Sequence, residues 1–196
     1  MTQQAHASPA RPAPLGACLF ATPIGECALA WSEEGICAVQ LPEADSARTF
    51  HRLLRGLGRL PDTQALLRAA QPAAVTHAVR RTQSLLSGTR DDLLDVVLDM
   101  RGVPDFACRV YALTRAIDPG RTRTYGELAR ELGDVHLSRA VGQALGANPF
   151  APIVPCHRVL AANDRAGGFS AHGGAVQKLR MLDIEGACPG GTLPLF

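Results

Sequence analysis

Apolar residues change their spacing along the chain, and the changes mark its organisation. Between 17 and 41 the segment ACLFATPIGECALAWSEEGICAVQL holds short apolar runs separated by Thr-Pro-Ile-Gly and Ser-Glu-Glu-Gly. Those interruptions are turn chemistry, so the segment predicts a meander of three strands. From 45 to 57 and from 62 to 87 the period lengthens to that of a helix, with Pro72 as a breaker. Val75, Ala78, Val79, Thr82, Leu85 and Leu86 keep that period until Gly88 stops it. LLDVVLD, residues 93–99, reads as one more strand.

From Pro104 the signals are helical. Phe106, Val110, Leu113 and Ile117 lie on one face, and Pro119-Gly120 ends the run. Thr124 with Glu127 three residues on has the form of a capping box, opening TYGELAREL, which Gly133 closes. SRAVGQALG begins a second short helix near Ser138. Two short helices across a Gly-containing turn fit a helix-turn-helix, and equally a plain αα corner. APIVPC reads as a buried extended segment. GAVQKLRMLDIEG reads as a last helix with Val176, Leu179, Leu182 and Met181 inward, ended by Gly186. The chain thus divides into a disordered leader (1–15), an α/β domain (16–100), a mostly helical domain (104–187) and a tail (188–196). The fold class is α+β.

Composition narrows the function. At 46% hydrophobic and 19% charged, the chain is globular rather than disordered. A net charge of +2 excludes a strongly basic nucleic-acid coat. Residues 1–100 carry −1 and residues 101–196 carry +3, a small bias toward an anionic partner for the second half. Lys178 is the only lysine. No stretch approaches the roughly 20 apolar residues of a membrane span, so no membrane partner is expected. The leader MTQQAHASPARPAPLG lacks the apolar core of a signal peptide, which predicts a cytoplasmic location. The six cysteines are scattered with no C-x-x-C pair, so neither a disulfide framework nor a metal site is expected. Cys18, Cys27 and Cys37 read as small apolar core residues in strands; Cys188 reads as an exposed thiol in the tail.

The candidate chemistry sits in PIVPCHRVL, where Cys156 and His157 are adjacent. A thiol becomes a nucleophile only as thiolate, and a free one has a pKa of about 8.5. It therefore needs a base, a cation or a helix N-terminus nearby. In an extended segment adjacent side chains point to opposite faces. Adjacency alone leaves open a reactive thiol with its base and a buried structural cysteine.

The surrounding motifs narrow the choice. Tyr125, Arg139, Asn148-Pro149, Pro155-Cys156-His157-Arg158-Val159, GGFS (Gly167 to Ser170) and IEG (Ile184 to Gly186) follow in that order. The set resembles the O6-alkylguanine-DNA alkyltransferases, over about Pro104 to Gly186. The first half resembles them more loosely, in TPIG and the strand meander. The resemblance implies a ribonuclease H-like sheet domain and a winged-helix-like second domain. It implies a monomer that needs no cofactor and no obligate protein partner, acting on double-stranded DNA containing O6-alkylguanine; O4-alkylthymine stays open as a second substrate. The alkylated base would be flipped out of the stack, and its alkyl group would pass irreversibly to the cysteine.

Roles follow residue by residue from the same resemblance. Cys156 would be the acceptor, His157 its base through a water, and Glu185 the group that orients His157. Asn148 would tie down the connection to the cysteine. Tyr125 would donate to the departing guanine. Arg139 would fill the gap left by the flipped base, with Ser138, Ala140 and Gly142 approaching the minor groove. Pro155, Val159 (by its carbonyl), Phe169 and Ser170 would line the base and alkyl pocket. The chain departs from the family at Phe106-Ala107 and Val110-Tyr111, at Phe169 where many members have Tyr, and in a loop two residues longer that carries His172. Three rivals stand beside this reading: a non-catalytic lesion sensor on the same scaffold, a cysteine hydrolase, and a transcription regulator using the helix-turn-helix. Cys156 itself opposes the first, because such sensors replace the acceptor.

Overall fold

Alternation along three short strands sets the first half of the molecule. In a computed structural model, which describes residues 11–58, 62–162 and 165–187, β1 (Gly16–Thr22), β2 (Gly25–Trp31) and β3 (Ile36–Gln40) form an antiparallel sheet in that order. Successive side chains point to opposite faces, and here the faces differ in size. Ala17, Ala28, Ala30 and Ala38, joined by Cys37 where the β2–β3 register shifts, form a small-residue cluster that packs under Phe50, Leu53 and Leu54 of α1 (Ser46–Gly56). Phe20, Cys27, Leu29, Trp31 and Val39 form the other face, against Val75, Ala78 and Leu85 of α3 (Ala73–Leu86). Between them α2 (Thr63–Arg68) contributes Leu66 to the α1 side. Cys27 and Cys37 are buried, Cys18 is half-buried against the core, and burial raises their thiols to about 12, 12 and 11. The expected leader reaches Leu15, whose N–H donates to the Trp31 carbonyl. Residues 1–10 and the tail with Cys188 lie outside the described residues.

The strand expected over 93–99 does not form. Only a bridge between Ile36 and Leu98 remains of it. Local hydrogen bonds outcompete the ladder: the Asp91 and Asp92 carboxylates accept from the N–H groups of Leu93 and Leu94. Arg115 then donates to the carbonyls of Leu93, Leu94 and Val96.

The second half is built on α4 (Asp105–Arg115), α5 (Tyr125–Glu131), α6 (Ser138–Gly146) and α7 (Gly174–Ile184). Val110, Ala107 and Tyr111 bury α4; Phe106 and Leu113 are half-buried, and Ile117 lies inside just past the helix end. The capping box at Thr124 forms, with both its reciprocal bonds. Gly133 ends α5, a 3-10 turn (Val135–Leu137) follows, and α6 completes the helix-turn-helix. A two-residue strand, β4 (Arg123–Thr124), pairs in parallel with β5 (Val159–Leu160). That pairing holds the start of α5 beside the segment that carries the cysteine.

Two further expectations change. Residues 150–155 are buried, apart from half-buried Ala151, but turn rather than run extended, with a cis peptide at Ala151-Pro152. In α7, Val176 and Leu179 are 76% and 46% exposed, while Lys178, Met181 and Leu182 are buried. An apolar period cannot announce that face, because a lysine is its first member. The halves meet at a seam: Ile153 and Met181 pack into the core of the sheet, and the Val39 N–H donates to the Pro149 carbonyl at 2.7 Å. Among the described residues no helix is long and apolar enough to cross a membrane.

Candidate active site and nucleic-acid interface

The site forms where the 3-10 turn Cys156–Arg158 meets α5, α6 and the end of α7. Cys156 is 7% exposed, and His157 and Arg158 are buried. Behind the turn sits Glu185, the C-terminal cap of α7, its side chain 3% exposed. His157 Nε2 donates to Glu185 Oε1 at 2.9 Å. Arg158 grips the same carboxylate with two bonds of 2.8 Å, from Nε to Oε2 and from Nη2 to Oε1. Its Nη1 donates to the Ile117 carbonyl at 2.6 Å. Burial alone would raise the Glu185 carboxyl; the hydrogen bonds from His157 and Arg158 outweigh it and hold the group at about 2. An ionised carboxylate only accepts, so Nε2 carries the ring proton. Burial also pulls the His157 ionisation down, against the pull of Glu185. The neutral ring then keeps a lone pair on Nδ1, which is buried and has no hydrogen-bond partner among the described residues. That nitrogen has the lone pair needed to accept a proton.

The thiol itself is held above its ordinary value, because burial outweighs the groups that favour the thiolate. Burial raises it, while a hydrogen bond from Asn148, the charge of Lys178 and the N–H groups of Cys156 and His157 lower it. Asn148 follows α6 and fastens the turn: its Nδ2 donates to the Val154 carbonyl at 2.8 Å, and its Oδ1 accepts from the Phe150 N–H at 2.9 Å. Lys178 is fully buried and donates to the Val159 carbonyl at 2.6 Å. It also lies 5.7 Å from the centre of the Tyr125 ring.

In front of the turn opens a cleft of ≈ 650 Å³. Tyr125, Arg139, Gly142, Cys156, Phe169 and Ser170 all line it. Tyr125 is the first residue of α5, and burial followed by the neighbouring Cys156 charge raises its hydroxyl, so it stays a donor. Gly142 and Gly167 lie beside its ring, where a Cβ would make only ordinary contacts. A Cβ on Gly167 would stand 3.6 Å from the ring, and that residue has φ +64, a conformation side chains disfavour. Arg139 is exposed on α6, one turn from Gly142.

Other expected site residues fall elsewhere. Ala140 faces a recess shared with Phe106 and Tyr111 of α4, not the cleft. The helical period explains this: residues 139, 142, 143 and 146 share the cleft face, and 140 is turned about 100° from 139. Ser138 bonds the Val135 carbonyl at 2.6 Å. Pro155 is buried and its carbonyl accepts from Arg158 N–H, closing the turn rather than lining the cleft. The Val159 side chain is buried too, and its carbonyl is held by Lys178. His172 lies 3.8 Å from Glu43. Arg158 and Lys178 went unassigned in the sequence reading. A buried Arg and a buried lone Lys carry no local signal; only the pairing of residue 158 with 185 and of 178 with 159 reveals them. Among the described residues no cluster of His, Cys, Asp or Glu could hold a metal.

Comparison with known proteins agrees with this geometry. The family described as 6-O-methylguanine DNA methyltransferase, DNA binding domain, matches residues 105–187. A methylated-DNA–protein-cysteine methyltransferase of Mycobacterium tuberculosis is 40% identical over 125 residues, 64% of this chain and 73% of its own. One from Methanosarcina acetivorans is 33% identical over 172 residues, 87% of this chain and 97% of its own. A Thermus thermophilus protein named DNA base-flipping protein is 44% identical over 119 residues, 60% of this chain and 78% of its own. Among solved structures, Mycobacterium tuberculosis OGT in complex with DNA superposes with a TM-score of 0.66 at 33% identity, covering 87% of this chain and 92% of that one. With a relative so similar over nearly its whole length, and the Cys-His-Glu arrangement at the cleft, the chain belongs to the methylated-DNA–protein-cysteine methyltransferase family.

Proposed function

We propose that this protein repairs DNA by moving the alkyl group of an O6-alkylguanine onto its own Cys156, once per molecule. The observation that carries the reading is the acceptor thiol in the cleft wall, backed by a neutral His157 whose Nε2 is anchored on Glu185 and whose Nδ1 is unpartnered. The target carbon is unreachable inside the stack, so the base is extruded into the cleft. Arg139, exposed on the cleft face of α6, occupies the space it leaves, and Gly142 lets the helix approach closely. His157 Nδ1 takes the thiol proton, directly or through a water. The thiolate's electron pair forms the S–C bond as the C–O6 bond breaks, and its pair departs with guanine. Tyr125 donates a hydrogen bond to the leaving base, and the proton released by the thiol balances the charge. Lys178 supplies the positive charge that favours the thiolate. The thioether is stable, so no turnover follows. The protein acts as a monomer.

Cys156→Ser tests the reading. The variant should lose transfer completely and still bind a duplex carrying O6-methylguanine within about threefold of wild type, since serine changes little surface. A Cys156→Ser protein that still removes the methyl group would place the acceptor elsewhere.

A further inference from the structure

Cys156 lies between two cavities, and only one has been assigned a role. The second, of ≈ 280 Å³, shares Gly146, Cys156, Phe169 and Ser170 with the cleft. Its volume is many times what a single water needs. Asn148, which hydrogen-bonds the thiol, lines this cavity and not the cleft. Tyr125 and Arg139 line the cleft and not this cavity. Cys156 thus stands where the two cavities meet. Guanine enters from one side, and space continues on the side of Asn148.

The wall of the second cavity has a distinct charge. Arg11, Arg52 and Arg55 contribute to it, and among the described residues no acidic side chain does. Arg52 is engaged, with Nη2 on the Ser170 carbonyl at 2.7 Å and Nη1 on Glu43 at 3.0 Å. Arg11 bonds the Gly56 carbonyl at 2.6 Å through Nη1 alone. Arg55 makes no side-chain hydrogen bond to another described residue. These guanidiniums come from the leader and from α1, outside the part that carries the chemistry. A guanidinium presents five N–H donors in a plane and matches a carboxylate two bonds at a time.

We infer that this cavity receives the far end of long O6 substituents and favours those that end in a carboxylate. The inference rests on the alkyl-transfer reading and refines its substrate class. The reaction is unchanged: the thiolate attacks the first methylene, the S–C bond forms, the C–O6 bond breaks, and guanine leaves with the electron pair and regains the proton. The carboxylate takes no part in bond making. It holds the chain in line with the sulfur, and the arginines hold the carboxylate.

Three duplexes test this, carrying O6-(ω-carboxybutyl)guanine, its neutral amide O6-(ω-carbamoylbutyl)guanine, and O6-methylguanine. Single-turnover rates would be measured for the wild-type protein and for the Arg11→Gln/Arg55→Gln double variant. The wild type should transfer the carboxylate chain about tenfold faster than the amide, the scale of one hydrogen bond to a charged group. The double variant should bring the two chains to parity and leave methyl transfer within about twofold. Equal rates for carboxylate and amide in the wild type would overturn the inference, as would equal slowing of all three substrates in the variant. Absence of methyl transfer in the wild type would overturn the transfer reading itself, and this inference with it.

Discussion

Lys178 keeps a positive charge inside the protein, between the Val159 carbonyl and the Tyr125 ring. Burial pulls its ionisation down to about 8, and the Cys156 thiolate pulls the other way. Below that pH the ammonium favours the thiolate; above it the charge fades. Transfer should therefore rise with pH as the thiolate fraction grows, but less steeply above about pH 8, where the Lys178 charge is lost. Lys178→Met should slow transfer about tenfold at pH 7, the scale of one lost charge-assisted interaction, and remove the change of slope near pH 8. Stability should respond differently. The folded ionisation lies below the unfolded value of 10.5, so the unfolded chain binds more protons between about 8 and 10.5. Lys178 thus weighs against the fold at neutral pH, and its penalty fades as pH rises through that window. Lys178→Met should leave the melting temperature unchanged or higher. A variant that melts earlier yet keeps the wild-type pH profile would make Lys178 a structural residue only. Glu185 shows the opposite sign. Held at about 2, below its ordinary 4.5, it stabilises the fold fully above pH 4.5 and loses that contribution as pH falls toward 2.

At the scale of elements, the start of α5 positions the chemistry. Thr124 caps the helix, its hydroxyl accepting from the Glu127 N–H at 3.2 Å, and Tyr125 is the next residue. Thr124→Ala should lower stability by about 1 kcal/mol in urea denaturation. It should also slow transfer more than it weakens DNA binding, because the cap sets the Tyr125 hydroxyl. Unchanged stability would mean the cap is not holding the helix. This element was legible in the sequence because all its signals lie within four residues. The strand meander, α1 to α3 and the helix-turn-helix were legible for the same reason. The segment at 93–99 was not: its apolar period is that of a strand, but Asp91 and Asp92 bend the backbone, and Arg115 arrives from another helix. Nor was the inner face of α7, where the buried member is a lysine. The order of motifs brought His157 and Glu185 together in expectation, and the structure pairs them, while the catalytic roles remain proposals; Arg158 carries no local signal for its grip on the same carboxylate.

The whole molecule joins its two halves through a common core. Ile153 and Met181 of the second half pack among Phe20, Leu29, Trp31 and Val39 of the first. The edge strand β3 is bonded to Pro149, just before the cysteine turn. A seam of this kind should make the halves unfold together. Urea denaturation followed by the single tryptophan, Trp31, and by far-ultraviolet circular dichroism should give one coincident transition. Two separated transitions would show that 16–100 and 104–187 are independent folding units. On the proposed function, the sheet half supports the turn that presents the thiol, through the Val39–Pro149 bond and the packing of Ile153.

The central claim is that Cys156 takes the alkyl group. It is tested most directly by intact-protein mass spectrometry with peptide mapping, after incubation with a duplex carrying one O6-methylguanine. The account predicts a gain of one methyl group, located on Cys156 and saturating at one per protein. A duplex that stays bound while the protein gains no mass would contradict it, and would make this chain a lesion sensor on an alkyltransferase scaffold.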